Sequence, residues 1–494
     1  MRDSSATIHR YTYLYGGRGP WPQPNPQRPL GEAAIVLNVP EAEQRHFDRT
    51  VGLRFKLTLI LGIPRAMWEA ATHAVTEPIP DDWFAAVLTE SAYSKFLVPL
   101  DGGDDEKPFA PVIAGDPSRT FYKMDFTAMR YVEPYQGMHV APTMVLVEEI
   151  AGQDPSIPVE HRAKRPVAIL VNDTLLLEPT AAEQGAWDLA KVFVLQGAAY
   201  GMLFTEHPNL HFPFDAINAI TKTWLPQQHP IYQMLIPHLE FQLSLNLGVL
   251  ESRQSVITNK RETFYAPFTA NMSDGLLELF VAGYAGEEGR SGYPTYDFQT
   301  RPKKVYSHYG SFLDAYYEAC LPFAEKVAEV ALEPEWRDVT AQWAEYIAPW
   351  VKGFPTREEI VDAATLKATL ARIVWDLTIG HGADHQVFSY DVTPERKFLR
   401  LRLPPPAGKN APPVPMRELA RWVDRFKMRI AHRTFFEPIT RTRLLDVKYP
   451  FVDSRLDAAG HAFLASLRQT EASLSARGIR IYMPIENAPA SIQF

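Results

Sequence analysis

The sequence predicts a mainly α-helical protein built around two long buried helices, with small antiparallel β elements at its periphery. The stretch AWDLAKVFVLQGAAYGMLF, ending at Phe204, is apolar on nearly every side, as expected of a helix in the middle of a large protein. Between Leu366 and Leu377, apolar residues recur at steps of three and four, which predicts a second buried helix over 361–385. Strand patterns are confined to short segments before these helices.

The N-terminal residues are predicted to form an extended arm. Residues 16–30, GGRGPWPQPNPQRPL, cannot be helical because prolines recur without a helical gap. We therefore divide the chain into a Pro-rich arm, 1–40, and a single helical domain, 41–494, within which we find no internal repeat and no break in composition.

The elements before the first buried helix follow from local patterns. Apolar spacing predicts helices at about 41–62 and 81–97. Short strands are predicted around 120–147 and 166–177, where RPVAILVND has the composition of a strand followed by a turn.

Composition excludes several classes of function. The net charge of −8 comes from 50 basic and 58 acidic residues that are interspersed, so no nucleic-acid partner is expected. Cys320 is the single cysteine, which rules out an intramolecular disulfide and any thiolate cluster for a metal. The N-terminus lacks the apolar core of a secretory signal and no stretch is long enough to span a membrane, so a cytoplasmic protein is predicted.

Two histidine pairs share one spacing, His207 with His211 and His381 with His385. On a helix, positions i and i+4 lie on one face, so each pair can direct two imidazoles at one ion. The chain also ends in an apolar segment, 489–494, where soluble proteins usually trail off in polar residues. A buried terminus would offer its carboxylate as a further ligand.

A buried histidine is more often a satisfied core residue than a ligand. Four imidazoles without partners would each cost about 1–3 kcal/mol, which favours a metal over coincidence. A zinc-peptidase site needs glutamate directly after the first histidine, whereas Pro208 and Gly382 follow here. Histidines with a carboxylate and an open position suit non-haem iron, which we predict as the cofactor in its Fe²⁺ and Fe³⁺ states.

Several stretches together resemble the lipoxygenase signature of WLLAK, two histidines, HPIYKLLxPH and IN. The matching stretches are WDLAK at Trp187, the pair His207 and His211, HPIYQMLIPH at His229, and the dipeptide ending at Asn246. The tryptophan precedes the first histidine by twenty residues, and the second histidine precedes the HP dipeptide by eighteen, both as in the family. TIGHGADH, 378–385, and YMP to SIQF, 482–494, are similar to the family's HAAVN segment and C-terminal ending.

The resemblance covers the chain from about residue 120 onward, so we expect the lipoxygenase catalytic unit without the N-terminal PLAT β-sandwich domain. It implies that His207, His211 and His381 are metal ligands, that His385 occupies the variable fourth position, and that Phe494 supplies its carboxylate. His229 and His238 belong to the flanking motif and are not ligands. No catalytic residue beyond the metal centre and no organic cofactor site are implied.

The resemblance implies a dioxygenase that inserts O₂ into a polyunsaturated fatty acid after hydrogen abstraction between two cis double bonds, giving a hydroperoxide. The expected partners are the lipid and O₂, with membrane contact at most peripheral and the chain a monomer. Candidate substrate contacts are apolar or lie near matching family positions: Phe204, Leu210, Phe212, Leu245, Val249, Ser252, Trp375, Leu377 and Arg396. Val249 and Ser252 are alternatives for the family's stereochemistry position, and Arg396 is the candidate cation for a fatty-acid carboxylate.

Three departures from the family pattern leave other functions open. The family separates its first two ligands by four residues around a π-helical turn, but three intervene here, which predicts a return to α-helical spacing. Pro208 predicts a broken or restarted helix at His207. Met202 and Leu203 stand where the family has His-Gln. The alternatives are a same-fold iron enzyme with changed chemistry, such as a hydroperoxide isomerase or an oxygenase of a non-lipid metabolite, and a non-catalytic lipid-binding homologue.

Overall fold

The computed structural model describes residues 12–13, 36–115, 119–132, 134–135, 137–211, 213–251, 266, 298–349, 351 and 353–494. Helices surround one large apolar core, and a smaller apolar cluster lies under a small sheet. The predicted mainly α class with minor antiparallel β structure is confirmed.

Seven short strands form two sheets in the described part of the chain. In chain order they are β1 Thr12–Tyr13, β2 Val36–Asn38, β3 Val98–Pro99, β4 Phe121–Asp125, β5 Thr143–Glu149, β6 Lys164–Val171 and β7 Thr174–Leu177. Strands β1 and β2 pair with each other, and β3 to β7 form a five-stranded antiparallel sheet in sequence order. The predicted turn after RPVAILV is the β6–β7 hairpin, where Asn172 adopts a left-handed φ of 50°.

The described part of the chain contains fifteen α-helices. They are α1 Glu41–Phe47, α2 Leu53–Thr72, α3 Asp81–Glu90, α4 Ala110–Ile113, α5 Gln184–Gly201, α6 His207–Asn209, α7 Pro213–Trp224, α8 Pro230–Leu235, α9 Gln242–Glu251, α10 His308–Ala331, α11 Arg337–Ile347, α12 Ala363–Trp375, α13 His381–Tyr390, α14 Trp422–Ala431 and α15 Ser454–Ala476. None of the helices in this part of the chain is long and apolar enough to cross a membrane.

The two predicted buried helices are present, and each contains a π-helical turn. Helix α5 is buried at every position from Gly185 to Gly201 and leads through the π turn Met202–Glu206 into α6. Helix α12 leads through the π turn Asp376–Gly380 into α13. Both π turns therefore stand directly before the residue that opens the next helix, His207 in one case and His381 in the other.

The backbone between His207 and His211 agrees with one prediction and contradicts another. The predicted break at His207 is confirmed, because α6 ends within three residues of Pro208. The predicted return to α-helical spacing is wrong, because the π turn is retained and His211 lies beyond the helix end. The backbone N–H of His211 donates to the carbonyl oxygen of Pro208 at 3.0 Å, as in a tight turn.

The first predicted helix is longer than expected. Helical structure runs from Glu41 to Thr72, through a π turn at Asp48–Gly52, instead of ending near residue 62. Pro64 does not end the helix because Pro64 and Ile60 both lie on its exposed face. There, water can reach the carbonyl that proline leaves without a donor. The division into 1–40 and 41–494 stays a prediction.

Candidate metal centre

Four histidine side chains converge in the interior. One ring nitrogen from each of His207, His211, His381 and His385 lies within 4.8 Å of the others. The Nε2 atoms of His207 and His211 are 2.8 Å apart, and those of His211 and His381 are 3.0 Å apart. His385 Nε2 lies 3.0 Å from His207 Nε2. The structure thus brings together the four histidines that the sequence singled out.

Hydrogen bonds on the outer nitrogens fix the orientation of two of these rings. His385 Nδ1 lies 2.9 Å from the carbonyl oxygen of Phe436, which can only accept, so Nδ1 carries the proton. His211 Nδ1 lies 2.9 Å from Asn246 Oδ1, whose orientation follows from Asn246 Nδ2 donating to Asp215 at 2.7 Å. Both Nε2 atoms therefore point a lone pair into the cluster, the orientation that a metal ligand needs.

Burial keeps the four imidazoles neutral. It lowers the pKa of His211 to about 4, although the hydrogen bond with Asn246 acts in the opposite direction. Burial lowers the pKa of His385 to about 3, against the hydrogen bond to the backbone of Phe436. The pKa values of His207 and His381 fall well below the ordinary value, through burial and then through the neighbouring imidazoles. Neutral imidazole is the form that binds metals.

The last residue of the chain packs against the same cluster. The Phe494 side chain is buried, and its ring centroid lies 5.3 Å from that of His381 and 4.8 Å from that of His385. A hydrogen bond with the backbone of Phe494 favours the protonated form of His381, and so partly opposes the lowering of its pKa by burial. The terminal backbone therefore lies beside an imidazole of the cluster.

The C-terminal segment reaches this position through specific anchors. His238 Nδ1 lies 2.7 Å from the carbonyl oxygen of Ala490, and the Ala490 backbone N–H donates to Thr442 at 2.9 Å. The Gln493 side-chain oxygen accepts from the backbone N–H groups of Arg441 and Thr442 at 2.7 and 3.0 Å. His238 thus holds the segment that ends at Phe494, consistent with its predicted exclusion from the ligand set.

The second flanking histidine has a different structural role. His229 caps α8, where its Nδ1 accepts from the backbone N–H of Ile231 at 3.2 Å, and Pro230 takes the predicted first-turn position. Its Nε2 lies 3.2 Å from the Thr340 hydroxyl. Both ring nitrogens are therefore engaged away from the cluster.

The donor set fits a transition metal of intermediate softness. It offers neutral imidazole nitrogens in a buried position, with no cysteine in the cluster, and this set suits iron, copper, nickel or zinc better than calcium or magnesium. The Nδ1 atom of His381 is buried and makes no hydrogen bond.

Comparison with solved structures identifies the fold. A coral 8R-lipoxygenase matches with a TM-score of 0.67 at 13% identity, covering 100% of this chain and 80% of that one. The manganese lipoxygenase of Gaeumannomyces graminis matches with a TM-score of 0.68 at 13% identity, covering 99% and 97%. The chain has the lipoxygenase fold. A lipoxygenase variant in complex with arachidonate, Delta413-417:GS, matches with a TM-score of 0.68 at 13% identity, covering 100% and 81%.

The likeness lies in structure and not in overall sequence. No protein-family model matches the chain, and no curated protein matches it by sequence. The predicted lipoxygenase-like helical architecture is confirmed, whereas an activity does not follow from a fold at this identity.

A small cavity adjoins the histidines in this lipoxygenase fold. It has a volume of about 20 Å³, room for about one water molecule. Its walls are formed by Met202, Leu203, His207, Asp384, His385, Phe388 and Phe436. Met202 and Leu203 therefore make one wall apolar.

The predicted substrate residues whose side chains the structure describes do not line this cavity. Phe204, Leu210, Leu245 and Leu377 are buried core residues, and Phe204 stacks on Tyr200. Trp375 donates from Nε1 to the Leu313 carbonyl at 3.0 Å.

The remaining candidates cannot be tied to the cavity. Arg396 lies over the Trp83 ring, with 4.4 Å between the guanidinium carbon and the ring centroid. Phe212 and Ser252 fall outside the described residues, and Val249 lies in α9 with its backbone alone described. All nine substrate contacts stay predictions.

Sequence reasoning missed a buried ion pair beside the cluster. Asp384 stands between His381 and His385 in α13, and Lys95 Nζ lies 2.5 Å from its Oδ2. The Tyr309 hydroxyl donates to Asp384 Oδ1 at 2.6 Å. The signal was the single acidic residue of a helix that contains no Lys or Arg, although its partners are distant in sequence.

Proposed function

We propose that this chain is a lipoxygenase, a non-haem metal dioxygenase that inserts O₂ into a polyunsaturated fatty acid. The observation that carries the proposal is the convergence of His207, His211, His381 and His385 beside Phe494, within the lipoxygenase fold. The overall reaction adds one O₂ to one C–H bond and gives a hydroperoxide, so electrons balance without an external reductant.

Iron is the metal we propose, held by the four imidazoles and the Phe494 carboxylate. A bound redox metal of this kind supplies the one-electron step that removes a hydrogen atom from the fatty acid. The chain's own part is to hold the ligands: Asn246 and Phe436 keep two imidazoles turned inward, and burial keeps all four neutral.

The protein also controls access to the reacting carbon. The walls of the cavity beside His207 are apolar apart from the two histidines and Asp384, and Asp384 is paired with Lys95. An apolar substrate group at this wall therefore meets no unpaired charge, and the cavity has room for only about one water molecule. Exclusion of water protects a carbon radical from competing reactions.

Incubation with fatty acids tests the proposal. Iron-loaded protein should consume O₂ and produce conjugated-diene absorbance with linoleic or arachidonic acid. Absence of both signals with every polyunsaturated acid, from protein shown to carry stoichiometric metal, would contradict the proposal.

The metal requires its own measurement, because one structural match is a manganese lipoxygenase. We expect purified chain to contain iron, and iron to support greater O₂ uptake than manganese after removal and reloading. The reverse order would make manganese the cofactor while leaving the dioxygenase proposal intact. Protein without stoichiometric metal would favour the lipid-binding alternative.

The size of the cavity favours a second candidate, a same-fold metal oxygenase with another substrate. Among the described residues, the space that touches His207 holds about 20 Å³, so a substrate smaller than a fatty chain would require less displacement of the cavity walls. O₂ uptake with a small non-lipid metabolite, and none with fatty acids, would support this candidate.

A further inference from the structure

Helix α2 places its apolar side in water. Its buried positions are Ala66, Glu69 and Ala70, which are small or charged, whereas most of its large apolar residues are exposed. We define the α2–α14 face by its exposed apolar residues: Leu53, Leu57, Ile60, Leu61, Ile63, Met67 and Trp68 on α2, with Trp422 and Val423 on α14. Leu61 is 73% exposed and Ile60 is 64% exposed. Such a patch on a water-soluble surface marks an interaction site.

The patch is continuous across the two helices. Trp422 Nε1 donates to the carbonyl oxygen of Met67 at 3.4 Å, which places the start of α14 against the end of α2. Trp422 stacks on Phe426, with 5.5 Å between ring centroids and 3° between ring planes. Exposed Trp68 and Trp422 therefore stand on one surface. Tryptophan is the residue that prefers the boundary between water and hydrocarbon.

The charge around the patch is positive on a chain of net charge −8. Within residues 48–72 and 421–433, the exposed charged side chains are four basic ones, Arg49, Lys56, Arg65 and Arg421, and one acidic one, Asp48. Arg49, Lys56 and Arg421 are exposed at the border of the patch. A basic border around an apolar face is complementary to an anionic lipid surface.

The same charge argues against a second copy of this chain as the partner. A two-fold symmetric dimer would bring the same surface of two molecules together. The basic border would then face itself, and like charges at short range repel.

We propose that the α2–α14 face binds the surface of an anionic lipid bilayer, with Ile60, Leu61 and Trp68 entering the interface. The π turn His432–Phe436 continues α14 and packs against α2. Phe436 also lines the cavity beside His207. The docking face therefore adjoins the metal centre, so a lipid held there would need a short path to it. That last step rests on the proposed function, whereas lipid binding does not.

Vesicle co-sedimentation of the full chain tests the proposal. The probes are vesicles of phosphatidylcholine alone and of phosphatidylcholine with phosphatidylglycerol. Wild type should bind the anionic vesicles more tightly. Ile60→Ser with Leu61→Ser should weaken binding about tenfold or more, because two apolar side chains no longer enter the interface. Arg49→Glu with Lys56→Glu should remove the preference for anionic vesicles.

The matched control replaces two exposed apolar residues outside the face. Leu177→Ser with Val452→Ser should bind vesicles within about twofold of wild type, since neither residue meets the lipid in this arrangement. Circular dichroism and melting temperatures of each variant separate lost binding from lost folding. Because no metal or fatty acid is needed, failure here leaves the dioxygenase proposal standing.

Three results would overturn the proposal. The first is failure of wild type to sediment with either vesicle, and the second is binding of the Ile60/Leu61 variant equal to that of the control. The third is a wild-type dimer in sedimentation equilibrium that Ile60→Ser with Leu61→Ser converts to monomer, which would make a second copy the partner.

Discussion

The orientation of a single imidazole depends on a single amide in this centre. Asn246 is the acceptor that places the proton of His211 on Nδ1, leaving the Nε2 lone pair to face the cluster. Outer-shell partners of this kind contribute substantially to metal affinity because they fix both tautomer and ring angle.

We predict that Asn246→Ala weakens metal binding about 10–100-fold, since His211 loses its orienting partner. Competition with a chelator, followed by metal analysis, measures the change. Gln233→Ala is the matched control: Gln233 is also a buried amide, but it accepts from the backbone N–H of Val452 at 3.4 Å, away from the four histidines. Equal loss in both variants would indicate a general loss of stability and contradict the prediction.

The side chain and the carboxylate of Phe494 should have separable roles. Phe494→Ile keeps the terminal carboxylate and an apolar side chain, so metal content should stay near that of wild type. Removal of Phe494 shifts the carboxylate to Gln493, whose side chain is held by Arg441 and Thr442, and metal content should fall. Full metal content in the shortened chain would exclude the terminal carboxylate as a ligand.

At the scale of elements, the C-terminal segment approaches α13 closely at one glycine. A Cβ on Gly382 would lie 2.5 Å from Pro489 Cδ and 3.0 Å from Met483 Sδ. Gly382 therefore permits the approach that sets Phe494 beside His381.

We predict that Gly382→Ala lowers the free energy of unfolding by about 1–3 kcal/mol and reduces metal content, because the segment must move outward. Gly408→Ala is the control, since a Cβ there meets nothing within 4 Å. Urea unfolding and metal analysis provide the two readouts. A stable variant with full metal content would show that the close approach is not required.

The contact between α2 and α14 depends on one carboxylate. Glu69 accepts from Arg65 and Arg429 at 2.7 Å and from Arg433 at 2.9 Å. Burial alone would raise the pKa of Glu69, but these three donors outweigh it and lower the pKa to about 2. A carboxylate whose pKa is lower in the folded than in the unfolded state stabilises the fold when the pH lies above the unfolded-state pKa. This contribution is lost as the pH falls toward the folded-state pKa.

We therefore predict that Glu69→Gln destabilises the protein by about 1–3 kcal/mol at pH 7 and by progressively less between pH values of about 4.5 and 2. Urea unfolding at pH 7 and near pH 3 measures the difference. Glu77→Gln, an exposed glutamate beyond the same helix, should have little effect at either pH. If the loss of stability caused by Glu69→Gln is the same at both pH values, the charge of the carboxylate does not account for it.

At the scale of the whole molecule, the sequence predicts the parts of the fold that depend on local pattern. An all-apolar run predicts the burial of α5, and three-and-four spacing predicts the helical stretch that ends in α13. The histidine pairs were visible because both members lie within one or two turns of each other.

What the sequence did not predict depends on contacts between distant residues. The Phe436 carbonyl and the Lys95–Asp384 pair meet the centre across long separations in the chain. The π turn before His207 persists although the spacing was one residue short, because α6 ends early and a tight turn carries His211 back. The exposure of the apolar residues of α2 was not predicted, because apolar periodicity identifies two faces of a helix but does not determine which face is buried.

Metal stoichiometry in ligand and non-ligand histidine variants tests the central claim most directly. Wild type and His229→Gln should each carry one redox metal per chain, because His229 makes its hydrogen bonds outside the cluster. His207→Ala and His381→Ala should lose the metal while remaining folded. Metal retained in the last two variants, or absent from wild type, would contradict the account.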